Sequence, residues 1–596
     1  MLKKGKIPTG TIKVVSYLLI LLPAALGFLY VHSFGVNVVA QDSWAMVPLF
    51  VKLSSGTIGV SDLVALHAEH RILFPRIAML LLGTLTQYNS VAEMYLIQSC
   101  LLVILISLLF AFKDNVISKR SLLFPISFLP IAFLVFSLRQ YENMLTGFQI
   151  AFIFVQLFSV LSLYFLYVSS RHVSSGRKGF RKVAFLAALG SGTVATFSAV
   201  QGLFVWPVGL LQLLISPVEK SAKKWLVGVW GLVGAGNWIV YFIGYTNPPQ
   251  NPSLLYVLEH PRTGIELFLT LLGGSLFGTL GSQNFLLVGQ QSFAPAIGVL
   301  LVCLVVASLL LIYRDGKWGE NSFWIALLLF SFLVIASIAV GRAEVWIGDV
   351  ASRYTNFAIL AIIGVYAILT KQALEKRSYL ATGLLGTLAV LVVLSVPVSY
   401  AEGIEVGRAL KVERENAALT LSTYESQPEA LLAEVHRRPT QEITEGGRLL
   451  KSLGYNVFSG PQAWDLPPLT ELSPVSSTAL SATSITGNGL RQENETIVVP
   501  AETSFIKLTG WAVDAGNESA AGGVYVDIDG ELFPAFYGIE RQDIADSFGV
   551  PSYRYSGFER FISVPEVGFH ELSIVILTAD REGYYPPTRK VTLEVR

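Results

Sequence analysis

The residues best suited to chemistry fall in four short motifs. His67, Glu69, His70, Arg71 and Arg76 lie within HAEHRILFPR. Arg139, Glu142, Asn143 and Gln149 lie in RQYENMLTGFQ. Arg342, Glu344, Asp349, Arg353 and Tyr354 lie in GRAEVWIGDVASRYTN, and Asp42 lies in QDSW. Carboxylates such as Asp42 and Glu69 serve as general bases or metal ligands. Guanidinium forks match the oxygens of a phosphate. The combination suits acid–base chemistry on a phosphate-bearing substrate.

Each motif also has a plainer structural reading. Asp42 suits a helix cap or a solvated loop. The cations of HAEHRILFPR suit lipid headgroups, Arg139 and Glu142 suit a structural pair, and Arg353 suits a snorkelling side chain. A helix over 67–71 places His67, His70 and Arg71 on one face at i, i+3 and i+4. No HExxH pattern supports zinc. Gln201, Trp206, Tyr241, Tyr245 and Asn247 add aromatic and amide groups near span ends. There they suit an interfacial belt or a sugar-stacking cleft.

Long apolar runs must position these motifs. The chain of 596 residues is 53% hydrophobic and 14% charged, with a mean hydropathy of +0.57. Soluble chains sit near a quarter charged. Full spans are expected at 14–33, 91–112, 121–138, 148–168, 183–199, 202–216, 224–243, 292–313, 321–340, 353–370 and 379–399. Each approaches the roughly 20 residues that cross a bilayer as a helix. Stretches 77–87 and 264–280 are short, and counting them gives 13 spans instead of 11. The fold class is therefore a polytopic α-helical membrane protein.

Loop charge orients it. Basic clusters fall at Lys3–Lys6, Lys113–Arg120, Arg171–Lys182, Lys220–Lys224, Arg314–Lys317 and Lys371–Arg377. An inside N-terminus with eleven spans puts them all in the cytoplasm, as positive-inside loops require. The four motifs then share the outer face.

The composition turns soluble after about residue 400. Expected domains are 1–400 helical in the membrane, 401–465 helical outside it, a linker over 466–494 and a β-sandwich over 495–596. Asp514, Asp527 and Asp529 suit turn geometry or a calcium site. Asn494 and Asn517 begin N-glycosylation patterns. Cys100 and Cys303 lie in apolar runs and imply no disulfide framework.

An early acid after the first span, a multi-span bundle and a soluble tail resemble the C-type glycosyltransferase superfamily (GT-C). QDSW, HAEHRILFPR, YENMLTGFQ, TFSAVQGLFVWPVG, YFIGYTNPP and SRYTN also resemble a group of bacterial multi-span proteins with a C-terminal β-domain, matched here by GWAVD through GF. The resemblance implies transfer of a sugar from a polyprenyl-phosphate carrier to an extracytoplasmic glycan or lipid acceptor, with inversion. Asp42 matches the first-loop acid and is the expected general base. Many members pair that acid with a second, but Gln41 and Ser43 flank it here, so Glu69 is the expected partner. Asp42 and Glu69 are also the expected ligands of a divalent cation, Mg or Mn.

His70, Arg71, Arg76 and Arg353 are expected on the substrate phosphate. His67, Arg139, Glu142, Asn143, Arg342 and Tyr245 are expected in the site wall, and the β-domain is expected to hold a glycan acceptor. The expected setting is the inner (plasma) membrane, multi-pass, in cell-envelope polysaccharide assembly. Expected partners are the bilayer, the lipid-linked donor and the acceptor, with no nucleic acid. No Walker or dinucleotide fingerprint is present. The competing readings are a transporter or flippase of lipid-linked glycans, which calls for mid-membrane charges and repeats, a polymerase or ligase, and an envelope scaffold.

Overall fold

A computed structural model describes residues 9–116, 123–170, 178–246, 253–278, 293–346, 348, 350–376, 378–427, 429–459, 466–476, 478–487, 489–493, 496–587 and 589–596. Asp349, Asn247 and Asn494 fall outside the described residues. The chain forms two compact units. One comprises 1–35, 58–82 and 90–410, the other 36–57, 83–89 and 411–596.

The first unit is a helical bundle. Among the described residues, eight helical stretches are long and apolar enough to cross a membrane. These include Ser90–Asn115, Gly147–Ser170, Lys220–Phe242, Ala294–Asp315, Gly319–Val345 and Ser352–Glu375. Eleven were expected. The stretch at 202–216 contracts to the 11-residue helix Val205–Ile215, because the chain enters it through a 3-10 turn over Val200–Phe204. Helix Lys178–Thr196 opens on KGFRK, whose cations lower its hydropathy. Helix Thr9–Phe34 has 26 residues and contains the expected span at 14–33. Leu73–Thr86 has 14 residues and Pro261–Phe277 has 17. At 1.5 Å per residue they reach about 21 and 26 Å, short of the roughly 30 Å hydrocarbon layer.

Helices 261–277 and 294–315 approach closely through small residues. A Cβ on Gly273 would stand 1.9 Å from the Ala294 carbonyl oxygen, and one on Gly298 would stand 2.1 Å from that of Leu269. Such contacts replace the hydrophobic drive that lipid does not supply.

The two ends of the bundle differ in chemistry. At one end, Lys371 Nζ donates to Asn115 Oδ1 at 2.8 Å and to Glu320 Oε2 at 3.2 Å. Helix Ser322–Arg342 carries the chain from there to the opposite end, and helix Thr355–Lys376 returns it. At 21 residues the first of these is about 31 Å long. The motifs rich in Arg, Glu and His gather at that opposite end.

In the second unit, Asn456 ties three separate stretches of chain together. Its Nδ2 donates to Asn37 Oδ1 at 3.0 Å and to the Tyr88 carbonyl at 2.9 Å. Its Oδ1 accepts the Val39 N–H at 3.1 Å. Phe50 stacks against Tyr88 and Tyr455 beside it.

The tail ends in a β-sandwich. One sheet runs Glu531–Pro534, Gly523–Ile528, Gly568–Leu577, Lys590–Val595, Thr496–Val499, Arg491–Glu493. The other runs Phe536–Ile539, Gly557–Ser563, Phe505–Asp514, Ala479–Thr486. Ile506, Leu508, Val524, Val526, Phe558, Leu572 and Leu593 fill the space between. Two expected boundaries move. Strand 479–486 pairs with 505–514 over eight residues, so the supposed linker 466–494 belongs largely to the sandwich. Its small polar residues suit an exposed edge strand and mask it as a connector. Helix Tyr379–Ser422 also runs unbroken through the expected boundary at 400.

Candidate functional site

The segment expected as a helix over 67–71 is instead a tight β-hairpin. Leu66 pairs with Arg71 and His67 with His70, leaving Ala68 and Glu69 as the two-residue turn. Ala68 takes the left-handed φ of 49° that such turns demand. The turn puts Glu69 at the tip of the hairpin.

Arg71 fixes the hairpin from behind. Its Nε donates to the Tyr241 carbonyl at 2.7 Å, its Nη1 to that of Val64 at 2.8 Å, and its Nη2 to that of Ile243. Tyr241 Oη in turn donates to the Glu69 carbonyl at 3.3 Å. Arg76 is buried, and its guanidinium donates to the carbonyls of Leu63 and Ala65. Both arginines were expected on a phosphate. Arg71 donates from three nitrogens and Arg76 from Nη1 to main-chain carbonyls, and these bonds hold the loop.

The tip faces a cavity of about 220 Å3 in the helical unit, lined by Glu69, His70, Gln201, Tyr245, Ser337, Arg342 and Tyr354 among others. Arg342 Nη2 donates to Glu69 Oε1 at 2.7 Å. His70 Nε2 lies 3.8 Å from the same oxygen. The Val200 N–H points at His70 Nδ1 at 3.5 Å, which suits a neutral ring carrying its proton on Nε2. The Gln201 side-chain oxygen is buried with no hydrogen-bond partner among the described residues. Burial, and then the Glu69 carboxylate, raise the Tyr245 phenol above its ordinary value, so it stays a donor at neutral pH.

A second cluster adjoins the first through Phe152, whose ring touches His70 at 5.8 Å and Tyr354 at 6.2 Å. Here Arg353 forms an ion pair with Glu142, its guanidinium 5.2 Å above the Tyr354 ring. Asn143 Nδ2 donates to the Arg353 carbonyl at 2.9 Å, and the Glu142 N–H donates to Ser352 Oγ at 3.1 Å. Arg139 pairs with Glu402 and donates from Nε to the Gly274 carbonyl at 3.1 Å. His67 packs on Phe148 at 4.7 Å.

Asp42 belongs to the second unit. Its carboxylate is half-exposed and accepts from Arg438 Nη2 at 3.2 Å, while the same nitrogen reaches the Gln41 carbonyl at 2.9 Å. Of the two expected cation ligands, Glu69 accepts from Arg342 through Oε1 and Asp42 accepts from Arg438. No group of three or more His, Cys, Asp or Glu that could hold a metal occurs among the described residues.

Three participants escaped the sequence reading. Ser337 and Phe152 sit inside apolar runs, and Leu254 lies beyond the aromatic cluster. The hydroxyl of Ser337, five residues before Arg342 in the same helix, was the available signal. Glu402, the partner of Arg139, lies 263 residues away and offered none.

No family model matches the chain, and no curated protein matches it. Among solved structures, the chain is similar to the archaeal oligosaccharyltransferase AglB from Archaeoglobus fulgidus, solved in complex with an inhibitory peptide and a dolichol-phosphate. The likeness covers 72% of this chain and 60% of that one, at 11% identity and a TM-score of 0.37. The chain thus spans about three-fifths of that protein's length.

Proposed function

We propose that the helical unit is a glycosyltransferase that takes a sugar from a polyprenyl-phosphate carrier and passes it to an extracytoplasmic glycan or lipid acceptor. One observation carries the reading. A small cavity that gathers a carboxylate, a guanidinium, an imidazole and an amide oxygen without a partner among the described residues sits at one end of an apolar bundle. About 220 Å3 falls below the roughly 300–1,000 Å3 of most ligand pockets. That space suits a sugar and its phosphate, with the lipid chain left in the bilayer.

The carrier phosphate would draw the Arg342 guanidinium, one-third exposed, away from Glu69. A carboxylate relieved of its counter-cation accepts a proton more readily. Glu69 would take the acceptor hydroxyl proton as the oxygen attacks the anomeric carbon. The bond from that carbon to the phosphate oxygen breaks with inversion, and its electron pair leaves with the phosphate. Arg342, with Arg353 nearby, would stabilise the charge that develops there, which is preorganised electrostatic catalysis. Gln201 and Tyr245 would orient sugar hydroxyls. Asp42 is the alternative base, and the inner membrane with an outward-facing site is the proposed setting.

The test is transfer of a radiolabelled sugar from undecaprenyl phosphate in proteoliposomes. The expected result is a glycosidic product from the wild type and at least a hundredfold loss in Glu69→Gln. Movement of the lipid-linked sugar across the bilayer with no new glycosidic bond would overturn the reading in favour of a flippase.

A further inference from the structure

The outer face of the sandwich carries a groove of about 280 Å3 that lies wholly within the second unit. Strand register builds it. Ala482, Trp511 and Gly557 lie directly opposite one another on three adjacent strands. Ser484, Thr509 and Glu559 form the next row on the same face. Cross-strand partners share a face, and the alternate residues Ile506, Leu508 and Ala512 of the central strand point into the core.

The first row sets one large flat ring between two minimal neighbours. Gly557 cannot carry a side chain, since a Cβ would stand 2.8 Å from the Ile539 carbonyl oxygen and 3.0 Å from Arg541 Cγ. Phe548 braces the indole edge-on at 5.6 Å. Ile539 and Arg541 thus close over Gly557, while exposed Ala482 leaves the other side of the braced indole open.

The charges at the groove are matched. Glu559 pairs with Lys507 at 2.8 Å, and Arg541 pairs with Asp543 at 2.6 Å. The lining offers hydroxyls, paired charges and an aromatic plane, with no net charge to draw an ion.

We infer that this groove binds a short stretch of neutral oligosaccharide, with Trp511 stacked on a pyranose ring. Trp511 covers the apolar C–H face of the sugar. Ser484, Thr509, Glu559 and Arg541 hydrogen-bond its hydroxyls. This is the balance of apolar body and few placed polar groups that small-ligand sites share. The readout is binding and not transfer, so this inference and the proposed function fail separately.

The experiment uses the full chain in lipid nanodiscs. Maltohexaose, mannohexaose, cellohexaose and hexagalacturonate are titrated by calorimetry, with saturation-transfer NMR on the sugar protons. At least one neutral hexaose is expected to bind. Trp511→Ala and Ala482→Arg should each weaken it at least tenfold, while Trp511→Phe stays within about threefold. Ala482 is exposed, so Ala482→Arg blocks the groove without entering the core and decides the matter if Trp511→Ala unfolds. Binding by none of the neutral sugars, binding by hexagalacturonate alone, or wild-type affinity in Ala482→Arg would overturn the inference.

Discussion

Arg342 meets Glu69 across 273 residues of chain, Nη2 to Oε1, at 2.7 Å. The pair joins the end of a membrane helix to the tip of a two-residue hairpin turn. Neither side chain is fully buried, at 37% and 20% exposed, so an incoming anion can compete for the guanidinium.

Arg342→Ala should therefore lower transfer more than binding of the acceptor. Removing one preorganised donor typically costs about a hundred- to a thousandfold in kcat. Arg342→Lys keeps the charge but loses the planar fork and should fall between. Steady-state kinetics that vary donor and acceptor separately check the split. An unchanged kcat in Arg342→Ala would remove the residue from the reaction.

Asp42→Asn should leave transfer within about threefold and stability within about 1 kcal/mol, because half-exposed pairs such as Asp42–Arg438 contribute little. Side-by-side assays of Asp42→Asn and Glu69→Gln decide which carboxylate is the base. Activity lost in the first and kept in the second would return the role to Asp42.

Glu142 and Arg353 are mostly buried, at 15% and 34% exposed, and their removal is a question of stability before activity. Breaking a buried pair by one partner costs about 3–5 kcal/mol, and partial exposure brings the expected cost to about 2. Glu142→Ala and Arg353→Ala should each lower the unfolding midpoint, and the double variant should lower it by less than their sum. Strict additivity would mean the two do not couple.

His436 gives a pH signature in the second unit. Burial lowers its imidazole from the ordinary 6.5 to about 4, while a backbone contact at Ala417 acts the other way. Its ring stacks edge-on with Trp44, and Nε2 lies 3.3 Å from Thr420 Oγ1. Between those two pH values the unfolded chain takes up a proton that the folded chain refuses. The contribution is full above about 6.5 and declines as pH falls toward about 4, by up to about 3 kcal/mol. Thermal unfolding of the wild type and His436→Gln across that range checks it. The variant should show the shallower slope.

Much of the bundle was legible because twenty-residue apolar runs have few other fates. The gathering of HAEHRILFPR, RQYEN and GRAEVW was legible too, through loop charge. The pairings within it were not. Glu69 with Arg342, and Glu142 with Arg353, are tertiary contacts over 273 and 211 residues, and no local pattern encodes them. The hairpin was misread because the spacing of His67, His70 and Arg71 fits a helix equally well. The hairpin is held by the guanidinium of Arg71, which bonds Val64 just before it and Tyr241 and Ile243 at the end of another helix. Strand 479–486 was missed because an exposed edge carries no apolar alternation to detect.

The anchoring of Arg71 has an evolutionary corollary. Its acceptors are the carbonyls of Val64, Tyr241 and Ile243, groups that every amino acid supplies. Substitution at position 64 or 243 should thus leave the contact in place, whereas position 71 needs a planar, forked donor that lysine cannot imitate. The contact would leave no trace of paired substitution in an alignment, only one unchanging arginine beside partners that vary at will.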